Sequence, residues 1–129
     1  MAKIVKELSA HCPNKVGTFA KACGAIKEAN VNIEAACAWG EKQDAVFHIV
    51  TANNTRAKEA LEKAGFQVEE NEVVMADLAF RVGSLAEASQ RLAGAGIDVN
   101  YCYCSTGETA STAHGIFNTK DNKKAAGLV

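Results

Sequence analysis

Apolar residues recur at helical spacing in two separate stretches of the chain. The two stripes consist of Phe19, Ala22, Ile26 and Ala29 and of Leu85, Ala88, Leu92 and Ala95. At 3.6 residues per turn, each stripe forms the buried face of an amphipathic helix. Because both stripes contain small residues, we expect each helix to lie close against a sheet. Asn30 and Gly96 follow the stripes and tolerate a left-handed backbone, so we predict that the helices end there.

Extended runs surround these two helices. Strands are predicted over residues 4–10, 31–39, 45–51 and 66–68, and again over 73–79, 97–105 and 111–118. Glycine-containing turns separate the middle strands, at residues 40–43 and 107–108. A further helix is predicted, with its N-cap near Asn54 or Thr55 and its end at Gly65.

The second half of the chain repeats the first half. At an offset of 66 residues, without a gap, identical pairs include Ala10 with Ala76, Val16 with Val82, Gly17 with Gly83, Ala20 with Ala86, Ala22 with Ala88, Ala29 with Ala95 and His48 with His114. Apolar classes match as well, as in Ile26 with Leu92. The duplication predicts two units of one fold, residues 1–70 and 71–129.

The repeated order of elements is βαββαβ. It predicts an α+β fold of two ferredoxin-like units, with antiparallel sheets and helices on one face. The second copy reaches the start of its second helix at residues 121–126 and then stops, so its last strand is missing and its sheet edge is expected to be open. The short connection between residues 66–69 and 73–76 suggests a hairpin, which would let one strand serve both sheets.

Length and charge exclude several classes of protein. With 129 residues, 48% of them hydrophobic, the chain can bury about two-thirds of its unfolded surface, enough for one core or two small fused ones. The net charge is −1 and the 14 basic residues are scattered among the 15 acidic ones, which argues against a nucleic-acid partner. The first residues lack the apolar run that is typical of a secretory signal, and no apolar run in the sequence is long enough to span a membrane. We expect a cytoplasmic protein with no membrane partner.

The five cysteines are an odd number, which does not fit a secreted disulfide framework, and they are expected to be reduced. Alternation along a strand places Cys102 and Cys104 on one face. A metal site is not favoured there, because a closed tetrahedral site needs four ligands and Cys-x-Cys is not a usual ligand spacing. We interpret the pair as small buried hydrophobic residues and predict no metal and no cofactor.

Both faces of the strand that carries these cysteines are largely apolar, as they are in the matching strand. One face is expected to meet the helices. The other, with Ala36 and Ala38 or Cys102 and Cys104, would need a cover from another sheet or another chain, because sizeable exposed apolar patches mark interfaces. A homodimer is therefore expected.

The sequence contains no arrangement that is typical of an active site. His48 and His114 match in the repeat, but neither has a nucleophile or a carboxylate at a catalytic spacing, so both are interpreted as half-exposed structural residues. His11 precedes the first glycine turn and would border a pocket there. Because nucleophile elbows, phosphate-binding loops, paired catalytic acids and zinc-protease motifs are absent, no catalytic residue is predicted.

A glycine turn precedes each stripe helix, PNKVGTF at residues 13–19 and FRVGSLA at residues 80–86. The start of a helix leaves about four N–H groups unpaired and carries about half a positive charge, so it attracts a carboxylate. Gly17 lacks the β-carbon that would hinder a ligand there. The carboxamide of Asn32, on the following strand, can pair with either group of an amino acid. Tight packing of the glycines and local capping by the hydroxyl residues remain structural alternatives.

The order, spacing and duplication of these elements resemble the tandem form of the ACT domain family over nearly the whole chain. The family's turn, Asp-x-Pro-Gly, corresponds to residues 14–17, and the start of its second strand to residues 30–33 and 96–99. Val16 and Val82 replace the family's proline, and Phe80 stands where the first copy has Asn14, so the second turn departs further. The resemblance implies a non-catalytic regulatory module that binds a small metabolite, most often an amino acid, between paired domains.

Helix-start chemistry and this resemblance together predict the ligand-binding residues. They are Asn14, Lys15, Val16, Gly17, Thr18, Asn32, Val82, Gly83, Ser84 and Asp98. The first turn is expected to receive the carboxylate of the ligand, and Asn32 its amino group. A separate enzyme or transporter, supplied in trans, would respond to ligand binding. Two alternatives stay open. One is a structural or adaptor module with a degenerate site, and the other is a small metal or redox carrier that uses Cys102 and Cys104.

Overall fold

The structure, a computed structural model, describes residues 2–106 and 111–129. In this part of the chain the elements are β1 (Ala2–Pro13), α1 (Thr18–Glu28), β2 (Ile33–Glu41), β3 (Asp44–Thr51), α2 (Asn54–Lys63), β4 (Gln67–Ala79), α3 (Ser84–Gly94), β5 (Val99–Ser105), β6 (Thr112–Thr119) and α4 (Asn122–Ala126). The predicted α+β order is confirmed. Hydrogen-bonded neighbours follow the order β2-β3-β1-β4 for the strands of the first copy and β1-β4-β6-β5 for those of the second. The predicted turn at residues 107–108 lies outside the described residues.

The first of two compact units comprises Lys6–Asn71. In it β3 pairs antiparallel with both β1 and β2, so that Ala10 and Ala38 both lie opposite Phe47. The helices α1 and α2 pack on this face. The buried residues of the core are Leu8, Ala10, Ala22, Ile26, Ala45, Phe47, Ile49, Ala57, Leu61 and Phe66. Burial of each large apolar side chain contributes about 1.5–3 kcal/mol, and the burial of Ile26 in this core holds α1 against the sheet.

The second unit comprises Glu72–Val129 together with the start of the chain up to Val5. Strand β6 pairs antiparallel with β4 and β5, and its core consists of Val74, Ala76, Leu78, Ala88, Leu92, Ile97, Phe117 and Ala125. Ala2 packs against this core. Since β1 neighbours β4 in the sheet, the first residues of the chain occupy the place of the missing last strand. The expectation of an open edge beside β4 is therefore wrong.

The predicted hairpin between residues 66–69 and 73–76 is also wrong, because β4 runs without interruption through both segments. The two-residue turn of a tight hairpin needs positive φ angles, which Asn-Gly or a similar pair supplies. Here Asn71 is followed by Glu72, and no residue of β4 has a positive φ. The extended chain therefore continues from one copy into the next.

The predicted helix ends are confirmed in their backbone geometry. Asn30 and Gly96 follow α1 and α3 with left-handed φ angles of 57° and 72°. Helix α2 begins one residue earlier than predicted, with Asn53 as its N-cap, whose side chain accepts a 3.2 Å hydrogen bond from the Arg56 amide. The Asn54 side chain instead donates to the Lys6 carbonyl at 2.9 Å. No helix among the described residues is long and apolar enough to cross a membrane.

Strand register corrects the predicted faces of the edge strands. Ala38 lies opposite Phe47, and Cys102 lies opposite Phe117. Residues opposite each other in an antiparallel pair project on the same side of the sheet, and both phenylalanines belong to the cores that the helices cover. Ala36, Ala38, Cys102 and Cys104 thus share the helix side. Cys102 and Cys104 are also exposed rather than buried, so their interpretation as buried hydrophobic residues is wrong.

Candidate functional site

The first glycine turn leaves two backbone amides without a partner at the start of α1. Gly17 is the N-cap, with φ 87° and ψ 0°, and no side chain caps the helix. The Lys21 amide donates to the Gly17 carbonyl at 2.9 Å, and the Thr18 amide donates to the Lys15 carbonyl at 3.2 Å. Within the described residues no acceptor meets the amides of Phe19 and Ala20. These two N–H groups are the local positive end of the helix.

Gly17 is required by backbone conformation rather than by lack of space. Its φ of 87° lies in the left-handed region, which costs an L-residue with a β-carbon about 1–2 kcal/mol. A β-carbon added there would meet nothing within 4 Å, so the turn faces open space that a ligand can enter. The Thr18 hydroxyl accepts from the Lys15 amide at 3.1 Å and donates to the Lys15 carbonyl. The Thr18 hydroxyl thus makes local hydrogen bonds within the turn, as expected if its role is local capping rather than ligand binding.

Two hollows flank this turn within the first unit. We call the first the turn hollow; its volume is about 410 Å³ and its lining residues are Asn14, Lys15, Gly17, Thr18, Phe19, Ala20, Ala38, Trp39, Ala45 and Phe47. Phe19 and Phe47 have ring centroids 5.2 Å apart. The turn hollow therefore combines two unpaired amides with aromatic walls, an arrangement that can accept a small molecule with a carboxylate at one end and an apolar side chain.

The second hollow, here the lysine hollow, has a volume of about 310 Å³ and is lined by Cys12, Pro13, Lys15, Val16, Gly17, Thr18, Lys21, Ala64, Gly65 and Phe66. The Lys21 ammonium lies 5.9 Å from the centre of the Phe66 ring. No acidic residue stands in the first turn of α1. Lys15 and Lys21 therefore add positive charge around the first glycine turn, and this charge favours an anion.

A larger hollow of about 820 Å³ in the same unit fits a carboxylate less well. It is lined by His11, Cys12, Pro13, Glu41, Lys42, Asp44, Val46, Gly65, Gln67 and Glu69. Three of these side chains are acidic and only Lys42 is a fixed cation, so they repel an anion. His11 lines this hollow and does not line the turn hollow, where it was expected to border the ligand pocket. His11 Nε2 lies 3.0 Å from the Ser9 hydroxyl oxygen.

The second glycine turn has the same backbone but different electrostatics. Gly83 is the N-cap of α3 with φ 91° and ψ −7°. Two hydrogen bonds of 2.9 and 2.6 Å run from the Arg81 guanidinium to the Glu87 carboxylate, and a weaker one of 3.4 Å runs to the Val82 carbonyl. A β-carbon on Gly83 would lie 4.0 Å from Glu87 Oε1. A carboxylate of the protein itself thus stands beside this helix start.

The Arg81–Glu87 pair shifts the pKa of both groups. Hydrogen bonds from Arg81, and then its positive charge, hold the pKa of the Glu87 carboxyl below its usual value. The same interactions raise the pKa of Arg81. Because both side chains are about half exposed, the pair contributes little to folding stability. It lowers the positive potential that the second turn would otherwise offer to a ligand.

Asn32 and Asp98 lie far from the glycine turn of their own copy. Asn32 lines a hollow with Cys23, Lys27 and Asn30, beyond the end of α1. At about 1.5 Å rise per residue, the 11 residues of α1 separate that end from Gly17 by about 16 Å. Asp98 likewise comes after the end of α3, so the length of that helix separates it from Gly83, the N-cap. One copy alone therefore does not bring the predicted carboxylate-binding and amine-binding groups together.

The two matched histidines differ in burial. His48 is buried, with Nδ1 2.9 Å from a carboxylate oxygen of the fully buried Glu7. Its ring lies 4.9 Å from the ring of Trp39, between centroids. His114 is exposed and lies 2.7 Å from Asp77, its cross-strand neighbour. The expectation that both histidines are half exposed is therefore wrong, and their carboxylate partners come from adjacent strands that sequence spacing does not reveal.

Lys21, Trp39 and Phe66 were not among the predicted binding residues. The repeat could have indicated Lys21, because the matching residue at the offset of 66 is Glu87, which has the opposite charge. This is a charge reversal between two copies of one turn. Trp39 is far from the turn in sequence and reaches it only through the pairing of β2 with β3. Nothing in the local pattern around residue 39 indicates that contact.

The family model for the ACT domain pair matches residues 3–129. The chain belongs to the ACT domain pair family. Members of this family are regulatory modules, and the βαββαβ duplication described above is their fold. No curated protein sequence matches the chain.

Solved structures support the ACT fold at low sequence identity. Protein BT0572 from Bacteroides thetaiotaomicron is 21% identical, with a TM-score of 0.89 over 98% of this chain and 87% of the other. The ligand-free regulatory subunit of aspartate kinase from Thermus thermophilus is 15% identical, with a TM-score of 0.71 over 98% and 93%. The corresponding subunit from Thermus flavus is 16% identical, with a TM-score of 0.62 over 97% and 91%. At these identities the likeness establishes the fold alone.

Proposed function

We propose that this ACT domain pair is a non-catalytic regulatory module that binds a small carboxylate-bearing metabolite, with an amino acid as the first candidate, at the turn hollow. The observation that carries the proposal is the pair of unpartnered amides at Phe19 and Ala20, with no acidic residue in the same helical turn. Unpaired helix-start amides attract a carboxylate. The aromatic walls supplied by Phe19, Trp39 and Phe47 suit an apolar ligand side chain.

The amino group of the ligand needs a second contact, and we propose that a second protomer supplies it. Helix α1, about 16 Å long, separates Asn32 from Gly17 in the same copy, which is too far for one amino acid to reach both. In a homodimer, Asn32 of the partner subunit would accept a hydrogen bond from the ligand ammonium. A ligand held between protomers would stabilise the dimer by RT ln(1 + [L]/Kd), which is about 2.7 kcal/mol at a hundredfold excess over Kd.

The regulated activity would belong to another chain. Solved structures of similar fold include regulatory subunits of aspartate kinase, so a separately encoded enzyme is the first class of partner to test. The five cysteines are all free thiols, which is compatible with the reducing cytoplasm. In this proposal the ligand changes the assembly state, and the partner senses the assembled form.

An adaptor module with a degenerate ligand site is the second candidate. Val16 and Val82, at the tips of the two glycine turns, are fully exposed, and Phe80 and Leu85 are about half exposed. Exposed apolar side chains at both turns would suit contact with another protein as well as with a metabolite. The adaptor would pair with its partner without a small ligand.

Thermal unfolding of the full chain against each of the twenty amino acids discriminates between the two candidates. We expect one amino acid, or a small chemical group of them, to raise Tm. Gly17→Val should abolish the rise, whereas Gly83→Val, which imposes the same backbone strain at the second turn, should lower Tm but preserve the response. A response that survives Gly17→Val would remove the turn hollow as the site. Absence of any response in the parent chain would favour the adaptor.

A further inference from the structure

Two thiols stand side by side on the outer strand of the second unit. Cys102 and Cys104 are alternate residues of β5, the last strand in the sheet order, and therefore project on the same face. Register places Cys102 opposite Phe117 and Cys104 opposite Gly115. Gly115 itself has no side chain, and the side chains of Phe117 and Leu78 lie closest to the space that a β-carbon would take there.

The surroundings of the pair are apolar on one side and open on the other. A β-carbon added to Gly115 would lie 2.9 Å from Cε2 of Phe117, so the Phe117 ring leans over the glycine toward the position opposite Cys104. Both cysteines are exposed. The corresponding residues of the first copy are Ala36 and Ala38. The second copy thus carries two thiols at positions where the first copy carries two methyl groups.

The spacing of the two thiols does not suit a disulfide. At about 3.3 Å rise per residue, alternate Cα atoms of a strand are about 6.6 Å apart, and their parallel Cβ atoms are separated by a similar distance. A disulfide requires Cβ atoms about 3.5–4.5 Å apart, so the strand would have to buckle. A metal ion bound at about 2.3 Å from each sulfur needs the sulfurs only about 4.6 Å apart. Rotation about χ1 of each cysteine can bring the two sulfurs to that separation while the Cβ atoms stay in place.

The donor set also selects the kind of ion. Among the described residues no group of three or more histidine, cysteine or acidic side chains is placed to hold a metal, so a four-coordinate zinc site is not available. Hard cations such as Mg²⁺ and Ca²⁺ require oxygen ligands. The two thiols of Cys102 and Cys104 are the remaining donors, and they suit a soft monovalent ion that accepts two sulfur ligands.

We propose that Cys102 and Cys104 of one chain form a two-thiolate site for Cu(I) on the edge strand β5. On binding, each thiol gives its proton to solvent and each sulfur forms one bond to the ion, with no change in oxidation state. The site lies on β5, in a different unit from the turn hollow, so it does not depend on the proposed metabolite binding.

Anaerobic competition with bicinchoninic acid, a chromogenic Cu(I) chelator, tests the site on the full reduced chain. We expect the parent chain to withdraw one equivalent of Cu(I) per chain from the chelator. Cys102→Ser and Cys104→Ser should each abolish the transfer. The double variant C102A/C104A reproduces the alanines of the first copy, so it is expected to fold and also to withdraw none. A variant with Cys12, Cys23 and Cys37 all replaced by serine should keep the full equivalent.

Three outcomes would overturn the proposal. The first is a parent chain that withdraws no copper. The second is a C102A/C104A chain that withdraws as much as the parent, which would assign binding to the other thiols. The third is half an equivalent per chain accompanied by dimer formation on a sizing column, which would place the ion between chains. Zn²⁺ in the same format should show no binding that depends on Cys102, and such binding would contradict the two-ligand assignment.

Discussion

Lys21 and Glu87 occupy the same position in the two copies of the fold, within the first turn of the helix that follows each glycine turn, and they carry opposite charges. Gly17 and Gly83 before them share almost the same φ and ψ angles. The two turns therefore share their backbone conformation but carry opposite charges at this one position. In the second copy, Glu87 pairs with Arg81 and stands beside the helix start. This difference makes the first turn the better site for an anionic ligand.

Lys21→Glu should weaken ligand binding selectively. The variant carries at position 21 the negative charge that Glu87 carries in the second copy. One charge at a helix start contributes about 0.3–1 kcal/mol, so replacing a positive charge by a negative one should weaken carboxylate binding about tenfold. Isothermal titration with the amino acid found in the thermal screen measures the change. Glu87→Lys is the matched reversal at the other turn, and it should leave that affinity unchanged. An equal loss in both variants would refute the assignment to the first turn.

The Glu87 carboxyl should titrate below its usual pKa, because Arg81 donates hydrogen bonds to its charged form. Folding lowers this pKa, so the pair stabilises the fold above the unfolded-state pKa of about 4.3, and that contribution is lost as the pH falls through the folded-state value. A carboxyl-detected NMR titration measures it. In Arg81→Gln the midpoint should move upward. A midpoint that stays in place after that substitution would show that Arg81 is not the cause.

Deletion of residues 2–5 should destabilise the second unit more than the first. These residues belong to the second unit, and Ala2 packs against its core. Without them, the edge of β4 that β1 covers would lose its hydrogen-bond partner. Hydrogen exchange measures the effect, with faster exchange expected in β6 and α3. The helices α1 and α2 of the first unit are the internal control, and a uniform loss of protection in both units would contradict the proposed role of these residues.

Leu92→Ala should cost about 2–5 kcal/mol of unfolding free energy, because Leu92 is fully buried in the core of the second unit and its removal leaves a cavity. Leu85→Ala on the same helix is the matched control. Leu85 is 44% exposed, so its truncation should cost less than about 1 kcal/mol. Urea unfolding of both variants gives the comparison. Similar losses for the two would mean that the apolar stripe of α3 does not face the core as described.

Local sequence pattern was sufficient for most of the fold. The stripe that contains Ile26 and Leu92 predicted α1 and α3, since periodicity reports which face of an element is buried. Asn30 and Gly96 predicted the helix ends, because a left-handed residue is a local requirement that a few residue types satisfy. The offset of 66 predicted the duplication without any knowledge of contacts.

The candidate site was predictable only in part. The glycine turn at Gly17 is a local motif, so its backbone could be read from the sequence. The approach of Trp39 depends on strand pairing, and that of Phe66 on the return of the chain after α2. The placement of Asn32 at the far end of α1 follows from helix length, about 1.5 Å for each residue. Such contacts between residues distant in the chain are not encoded in any single window.

The sequence by itself determined which elements form, where they end, and that one fold occurs twice, because these properties depend on neighbours within a few residues. Only the tertiary structure decided that residues 2–5 take the place of the second copy's missing strand and that β4 is one uninterrupted strand. It also decided that Glu7 is buried against His48 while Cys102 and Cys104 face solvent. These outcomes depend on which strand lies next to which, and strand neighbours are chosen by the packing of the whole sheet.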